Sequence, residues 1–305
     1  DLEELVAIDS GTHHKRGVDR MCDWMTRRLN DWGMSVFRHH NESIGDCIVG
    51  SLHGSGSARL MLLGHLDTVY PVGAAAERPA RKSSDGERIL GPGVADMKAG
   101  LLSGIWAMQA LPQQGFRAFA EIAFVATSDE ETGSPHGSKF LAGIHDRFDA
   151  GFVLESAGPR GEIVTSRKGG GVCKIIVRGQ SAHAGLEPER GANAALQIAH
   201  KIIEVSALTD LAPGISVSVC VSQSGTAFNV IPDQATALVD VRATNQDDLD
   251  EVMQNIREIC CETVVPGTSA EIETTLRPVM SRSGGSQLLA EMTQRCAESL
   301  GQHVA

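Results

Sequence analysis

The sequence predicts an α/β protein in which a layered-sheet domain carries an inserted α+β domain of ferredoxin-like order. Helical and strand patterns alternate through the first 168 residues, as they do in layered α/β domains. Residues 169–279 then give strand–helix–strand–strand–helix–strand, which is the order of a ferredoxin-like unit. We therefore expect residues 1–168 and 280–305 to form one domain and residues 169–279 to form the insertion.

Apolar spacing predicts the elements of the first domain. A helix is expected at residues 16–33, where apolar side chains recur every three or four positions and Gly33 ends the pattern. A second helix is expected to end at Pro112, because proline interrupts helical hydrogen bonding. Five runs have the composition and length of strands: residues 35–40, 47–54, 58–65, 119–128 and 149–156.

The insertion follows the glycine triplet 169–171, which we interpret as a hinge. Its strands are predicted at residues 172–179, 215–225, 235–243 and 269–276, and its helices at residues 191–208 and 247–262. A last helix within residues 283–301 is consistent with a return of the chain to the first domain.

The charge balance limits the possible partners. With 27 basic and 38 acidic residues the formal net charge is −11, which argues against nucleic acid or an anionic membrane as a partner. No apolar run approaches the length of a membrane span, so a soluble protein is expected. The seven scattered cysteines lack the spacing of a disulfide framework, which favours a reducing, cytoplasmic compartment.

Both ends of the sequence look cut. It begins at Asp1 inside a predicted helix and stops abruptly after "GQHVA". We therefore expect further segments, and a removed N-terminal leader would place the protein in the periplasm or outside the cell.

Polar side chains follow three of the predicted strands. His65 and Asp67 come after a short apolar run, the acidic residues 129–131 follow the next buried strand, and Glu155 ends a third run. Ligands of open α/β sheets gather beyond the carboxyl ends of strands. Asp96, behind a Gly-Pro-Gly turn, adds another carboxylate at the start of a predicted helix.

Ordinary interpretations exist for each of these residues. Asp96 has the position of a helix N-cap, and the run 129–131 has the composition of a solvated acidic loop. Taken together, however, one histidine and several carboxylates at one sheet edge would repel each other unless a cation held them. This ligand set suits zinc or a similar divalent ion, and shared carboxylates suit a two-metal site.

Four motifs in the same order resemble a known family: "GHLDTV", "GPGVADMKAG", "SDEETGS" and the glutamate after "FVL". They are similar to those of the zinc-dependent carboxypeptidases, aminoacylases and amino-acid deacylases, and most similar to the glutamate-releasing bacterial carboxypeptidases. The resemblance covers essentially the whole chain and implies a zinc-peptidase-like catalytic domain with an inserted dimerisation and lid domain.

The resemblance implies a role for each residue of the cluster. His65 and Glu155 would bind one zinc ion, Asp96 would bridge two, and Glu131 would bind the second. Glu130 would be the general base that takes a proton from the zinc-activated water. Asp67, which the resemblance also places among the catalytic residues, would accept a hydrogen bond from His65 and fix its tautomer.

The inserted domain carries three further candidates. By resemblance, His183 would reach across a homodimer and polarise the scissile carbonyl, whereas Asn229 and Arg242 would contact the substrate. Arg242 would grip a free carboxylate, because guanidinium and carboxylate pair bidentately. The alternatives are a surface-loop histidine at His183 and a strand-end salt bridge at Arg242.

The resemblance implies two zinc ions per subunit in the complete protein. Members of that family supply a further histidine ligand to the second ion, near the C-terminus and after a glycine-rich stretch. His303 in "GQHVA" does not match that context and is not assigned to this role.

Three functions are therefore open. The leading hypothesis is hydrolysis of an N-acyl amino acid or short peptide with release of a C-terminal, glutamate-like amino acid. An N-acyl amino-acid deacylase or aminoacylase, of the acetylornithine or succinyl-diaminopimelate type, is the second. A non-catalytic dimeric binding protein on the same scaffold is the third.

Overall fold

A computed structural model describes residues 1–158, 161–282, 284–302 and 304. The chain forms two compact units, Asp1–Ser156 and Ala157–Ala305. In the part of the chain that the structure describes, every helix is too short or too polar to cross a lipid bilayer.

The first unit contains five helices and seven strands among its described residues. Helices α1 to α5 span Leu2–Val6, Lys15–Asp31, Ala74–Glu77, Ala99–Gln113 and Gly137–Ala142. Strands β1 to β7 span Ser35–His39, Cys47–His53, Arg59–His65, Arg81–Lys82, Ile89–Leu90, Glu121–Thr127 and Ala150–Val153.

Five of these strands form one sheet in the order β1-β2-β6-β3-β7. Strand β3 pairs in parallel with β6 on one side and with β7 on the other, so the carboxyl ends of all three strands lie at one edge. Helices α2 and α4 cover one face through buried residues such as Met25 and Ile105. The opposite face packs against Phe140 and Leu141 of α5, which gives the three layers expected of an α/β domain.

The second unit contains the strands and helices of a ferredoxin-like domain in the predicted order. Helices α6 to α8 span Ala194–Ser206, Gln246–Cys261 and Gly284–Ser299. Strands β8 to β13 span Gly169–Arg178, Ala182–His183, Ser216–Ser224, Val230–Ile231, Gln234–Ala243 and Ser269–Arg277. The main sheet has the antiparallel order β10-β12-β8-β13, and α6 and α7 bury their apolar faces on it.

Two local expectations are wrong. Helix α4 includes Pro112, because a proline in the last turn removes only one helical hydrogen bond; Gly115, with a φ of 73°, ends the helix instead. The glycine triplet 169–171 is no hinge, since it begins β8 and pairs with β12 and β13. A Cβ on Gly170 would lie 1.8 Å from the carbonyl oxygen of Val241, so the close strand approach requires glycine.

A buried carboxylate connects the β1–β2 loop to α2. Asp46 is 2% exposed and accepts hydrogen bonds from Arg38, from Lys15 Nζ at 3.2 Å and from the Asn41 amide at 3.0 Å. Burial alone would raise the pKa of Asp46, but these donors hold it well below its usual range. Arg38 also pairs with Asp23, whose side chain is half exposed.

Candidate metal centre

The candidate site lies at the carboxyl edge of the parallel strands in the first unit. His65 is the last residue of β3, the 3-10 turn Glu130–Thr132 follows β6, and Glu155 follows β7. Asp96 lies in the irregular turn that precedes α4. The parallel pairing of β3 with both neighbours therefore positions ligands that are far apart in sequence.

Side-chain atoms of this group come close together. The Nε2 atom of His65 lies 3.0 Å from Asp96 Oδ1 and 3.2 Å from Glu155 Oε1. One possible ligand atom from each of His65, Asp96 and Glu131 lies within 4.8 Å of the others. An imidazole nitrogen and the carboxylate oxygens of three residues therefore lie close to one another.

This donor set fits a divalent cation. Ligand atoms about 2.0–2.2 Å from one zinc ion are roughly 3–3.5 Å apart, which matches the two separations at His65. The charges also call for a counter-ion: burial and the nearby Asp96 raise the pKa of Glu131. Burial would lower the pKa of His65, but hydrogen bonds to Asp67 and Glu155 raise it to about 11. A bound cation would replace that proton on Nε2 and relieve the repulsion.

The Asp67 carboxylate contacts three other residues of the candidate site. Asp67 is 1% exposed, and its Oδ1 lies 3.3 Å from Nδ1 of His65 while its main-chain oxygen lies 3.0 Å from the same nitrogen. Its two carboxylate oxygens also accept the amides of Glu130 and Glu131, at 3.1 and 3.2 Å. One side chain therefore orients the histidine ring and fixes the turn that presents both glutamates.

The ordinary interpretations of two acidic residues do not hold. The N-cap of α4 is Lys98, and Asp96 has non-helical backbone angles two residues earlier. Asp129 is 1% exposed and accepts the amides of His136 and Gly137 at 2.7 and 3.0 Å, so the run is no solvated loop. Asp129 anchors the segment that follows the two glutamates.

Sequence reasoning missed one residue that contacts the site and a buried lysine two positions after Asp96. Thr12 donates its hydroxyl to Asp67 Oδ2 at 2.6 Å, although the two residues are 55 positions apart. Lys98, which is 2% exposed, donates to the carbonyl oxygen of Ile8 at 2.8 Å. Neither residue lies in a local pattern that indicates its partner, so only the tertiary structure could identify these contacts.

In the second unit, His183 and Asn229 are neighbours. His183 in β9 pairs with Val230 in β11, and the Ala184 amide donates to the carbonyl oxygen of Asn229 at 2.9 Å. The Nδ1 atom of His183 accepts the amides of Gly185 and Leu186 at 3.2 Å each. These two bonds assign the ring proton to Nε2, which leaves that nitrogen as an exposed donor.

Arg242 lies in β12 of the second unit and makes an ion pair with Asp240. Its Nε and NH2 groups both contact that carboxylate, at 3.1 and 2.8 Å, and the pairing raises the pKa of Arg242. The side chain keeps 44% of its surface exposed, so the pair is a surface contact that a competing carboxylate can replace.

Family models match most of the chain. A model described as a peptidase dimerisation domain of the M20 type matches residues 165–268. A second model, described as peptidase family M28, matches residues 47–200, which include the candidate metal ligands from His65 to Glu155.

Known proteins align with this chain over nearly its full length. The chain is 29% identical to carboxypeptidase G2 of Pseudomonas sp. (strain RS-16), over 95% of this chain and 70% of that protein. It is 30% identical to acetylornithine deacetylase of Myxococcus xanthus, over 98% of this chain and 80% of that protein. Among solved structures, aminopeptidase PepT from Bacillus cereus ATCC 10987 is similar with a TM-score of 0.78 at 25% identity, covering 100% and 82% of the two chains.

Proposed function

Because the chain belongs to the M20 family of peptidases, we propose that it is a metal-dependent hydrolase of the amide bond in N-acyl amino acids or short peptides, with release of a C-terminal, glutamate-like amino acid. The observation that carries this proposal is the group formed by His65, Asp96 and Glu131, with Glu155 beside it, at the carboxyl edge of the parallel strands. The match to a carboxypeptidase over 95% of the chain supports release of a C-terminal residue.

The residues of the first unit would have different roles in the reaction. His65, Asp96, Glu131 and Glu155 would hold the metal, which we propose to be zinc. A divalent ion supplies a Lewis acid that lowers the pKa of water and polarises a carbonyl oxygen. Glu130 would act as general base for the attacking water and then return the proton to the leaving amine. Asp67 keeps Glu130 in position through its amide.

In a homodimer, the second unit of one subunit would contribute residues to the reaction at the metal centre of the other subunit. The match to a dimerisation domain supports association of two copies. His183 of one subunit would donate from Nε2 to the carbonyl oxygen of a substrate bound at the other subunit. Its Nδ1 atom accepts two amides, which leaves Nε2 as the donor. A single donor to a developing oxyanion contributes on the order of 3 kcal/mol. Asn229, next to His183, would add a polar contact to the substrate.

A second candidate, an N-acyl amino-acid deacylase, is favoured by the 30% identity to acetylornithine deacetylase over 98% of the chain. The chemistry at the metal would be the same, and the two enzymes would differ in the acyl and amino-acid groups that they accept. Substrate preference therefore separates them.

A panel of substrates tests the function. We expect the zinc-loaded protein to release amino acid from N-acyl-glutamate faster than from N-acetyl-ornithine or N-acyl-leucine, measured by amine detection, and a chelator to abolish release because the cluster would lose its cation. Fastest release from N-acetyl-ornithine would support the deacylase instead. Zinc binding without release from any member of the panel would support the non-catalytic scaffold.

Replacing Arg242 by Lys tests the carboxylate clamp. We expect KM to rise roughly 10–100-fold with little change in kcat, because lysine keeps the charge but loses the bidentate geometry, and a hydrogen bond to a charged group contributes about 1.5–3 kcal/mol. Steady-state kinetics on the preferred substrate measure both constants. The matched variant Asp240→Asn removes only the partner of Arg242 and should not raise KM. An unchanged KM in Arg242→Lys would remove Arg242 from the binding role.

A further inference from the structure

The carboxylate of Asp67 accepts a hydrogen bond from a residue that precedes strand β1 in the sequence. Thr12, which is 5% exposed, donates its hydroxyl to Asp67 Oδ2 at 2.6 Å. Three other groups lie farther from this carboxylate: the amides of Glu130 and Glu131 at 3.1 and 3.2 Å, and Nδ1 of His65 at 3.3 Å. Hydroxyl bonds of about 2.5–2.7 Å to a carboxylate are charge-assisted and roughly twice as strong as neutral ones. The Thr12 bond is therefore the shortest of these four contacts.

The two oxygens of Asp67 have different partners. Oδ1 lies near Nδ1 of His65 and accepts the Glu130 amide. Oδ2 accepts the Glu131 amide and the Thr12 hydroxyl. The χ2 torsion of aspartate has a broad preference, so the donors determine the plane in which the carboxylate lies. Loss of the hydroxyl would leave Oδ2 with the longer contact, the amide at 3.2 Å, and the plane would be less well defined.

The histidine ring depends less on this hydroxyl than the glutamate turn does. Nδ1 of His65 also lies 3.0 Å from the main-chain oxygen of Asp67, closer than the 3.3 Å to Oδ1. That oxygen belongs to the backbone and would stay in place if the carboxylate rotated. The amides of Glu130 and Glu131, by contrast, donate to the carboxylate itself. A change at Thr12 should therefore act mainly on the turn that carries these two glutamates.

Main-chain contacts determine the position of the Thr12 hydroxyl. Gly11 pairs with Thr68, and the Thr68 amide donates to the carbonyl oxygen of Ser10 at 2.9 Å. The Thr12 amide in turn donates to the carbonyl oxygen of Thr68 at 3.3 Å. A Cβ on Gly11 would lie 2.5 Å from the carbonyl oxygen of Tyr70, so the close approach of the two segments requires glycine. These contacts place the hydroxyl beside the aspartate.

Two side chains hold the start of the same segment. Lys98, which is 2% exposed, donates from Nζ to the carbonyl oxygen of Ile8 at 2.8 Å. The carboxylate of Asp9 accepts the Gly73 amide at 2.7 Å. The segment that ends at Thr12 is thus anchored at its beginning as well, which limits the movement of the hydroxyl.

We propose that Thr12 is a positioning residue of the candidate metal centre: its hydroxyl fixes the plane of the Asp67 carboxylate and, through it, the turn with the two glutamates. The inference rests on the proposed function, in which Glu130 is the general base and Glu131 a metal ligand. Loss of a group that orients a metal ligand typically costs roughly 10–100-fold in metal affinity or activity. Both zinc affinity and kcat should therefore depend on the hydroxyl.

Replacing Thr12 by Val tests the proposal, because valine keeps the shape of the side chain and loses the hydroxyl. We expect the zinc Kd to rise roughly tenfold, the low end of this range, since Thr12 acts through Asp67. At saturating zinc kcat should also fall roughly tenfold, because Glu130 would be misplaced. KM should change little, because the candidate substrate contacts lie in the second unit. Competition with a chromophoric chelator measures the Kd, and steady-state kinetics on the preferred substrate measure kcat and KM.

Two further variants separate the hydroxyl from general effects of substitution. Thr12→Ser keeps the hydroxyl and loses only a methyl group, so it should keep the zinc Kd and kcat of the wild type. Thr268→Val makes the same change in the second unit, where Thr268 is 8% exposed and donates to the carbonyl oxygen of Val265 at 2.6 Å. This control removes a buried hydroxyl bond of equal length and should alter neither quantity.

The visible absorption of cobalt-loaded protein gives a readout independent of turnover. The absorption bands of cobalt(II) depend on the number and geometry of its ligands. In Thr12→Val the bands should shift, because the Glu131 carboxylate would be displaced. Thr12→Ser and Thr268→Val should give the wild-type spectrum. A purely structural role of Thr12 would lower the urea midpoint of Thr12→Val and leave its spectrum unchanged.

The outcomes distinguish the positioning role from the proposed reaction. Unchanged zinc Kd, kcat and cobalt spectrum in Thr12→Val would overturn the positioning role, as would equal losses in Thr12→Ser. If Thr12→Val does not fold, Thr12→Ala replaces it in all three measurements. Zinc binding that Thr12→Val weakens, without hydrolysis of any N-acyl amino acid by the wild type, would support the role of Thr12 and overturn the reaction. A wild-type protein that retains neither zinc nor cobalt would overturn both.

Discussion

Replacing Glu130 by Gln is expected to lower kcat roughly 10²–10⁴-fold, the usual contribution of general acid–base catalysis, while the zinc content stays unchanged. Glutamine preserves the shape of the side chain but cannot accept a proton. The Glu130 amide would still donate to Asp67, so the turn should keep its geometry. Zinc per chain by elemental mass spectrometry and kcat on the preferred substrate are the two measurements.

The neighbouring substitution Glu131→Gln is the matched control, one residue away on the same turn. It should lower the zinc content as well as turnover, because Glu131 belongs to the group of possible ligands. If Glu130→Gln lost zinc while Glu131→Gln kept it, the two glutamates would have the opposite roles. Unchanged turnover in Glu130→Gln would assign the base to another residue.

The largest effect on stability is expected at Asp46, in the loop between β1 and β2. Asp46→Asn should lower the free energy of unfolding of the first unit by about 3 kcal/mol, the low end for breaking a buried ion pair, because Arg38 and Lys15 stay partly hydrated. Asp23→Asn removes a half-exposed partner of the same Arg38 and should cost roughly 0–1 kcal/mol. Urea unfolding followed by tryptophan fluorescence measures the first unit alone, since all three tryptophans lie in it.

The Asp46 effect should depend on pH in a defined direction. The folded-state pKa of Asp46 is depressed, so its contribution is fully present above the unfolded-state pKa of about 3.9 and declines as pH falls below it. The difference between wild type and Asp46→Asn should therefore be constant from neutral pH to about pH 5 and become smaller in more acidic solution. A difference that grew on acidification would show that the network does not stabilise the ionised carboxylate.

Residue patterns were sufficient to predict the fold class and the family. Both can be recognised from residues that are close together in the sequence. Buried strands such as β6 are continuous apolar runs, and the residues after them, His65 and Glu155 among others, are visible as polar ends. The ferredoxin-like unit follows from the order of its elements alone.

Other features depend on contacts between distant segments. The bond from Thr12 to Asp67 crosses 55 positions, and the pairing of Gly11 with Thr68 joins two segments that no motif relates. The glycine triplet shows the same limit: Gly170 is required by the approach of Val241 in a neighbouring strand, whereas a glycine-rich string alone suggests a flexible joint. The roles of the candidate metal ligands, of Glu130 and Asp67, and of His183, Asn229 and Arg242 stay predictions.

Metal binding at the proposed centre would depend on strand register, because its candidate ligands follow β3, β6 and β7, which pair in parallel. His65 aligns with Thr127, and a slip of β3 by one residue would put Gly64 in its place and turn the imidazole to the other face of the sheet. An ion that needs donors beyond three separate strands can therefore bind tightly only after those strands have aligned correctly. Metal retained by a preparation would thus count the molecules whose central sheet is correctly assembled, and the metal-free fraction would include those trapped in a shifted pairing.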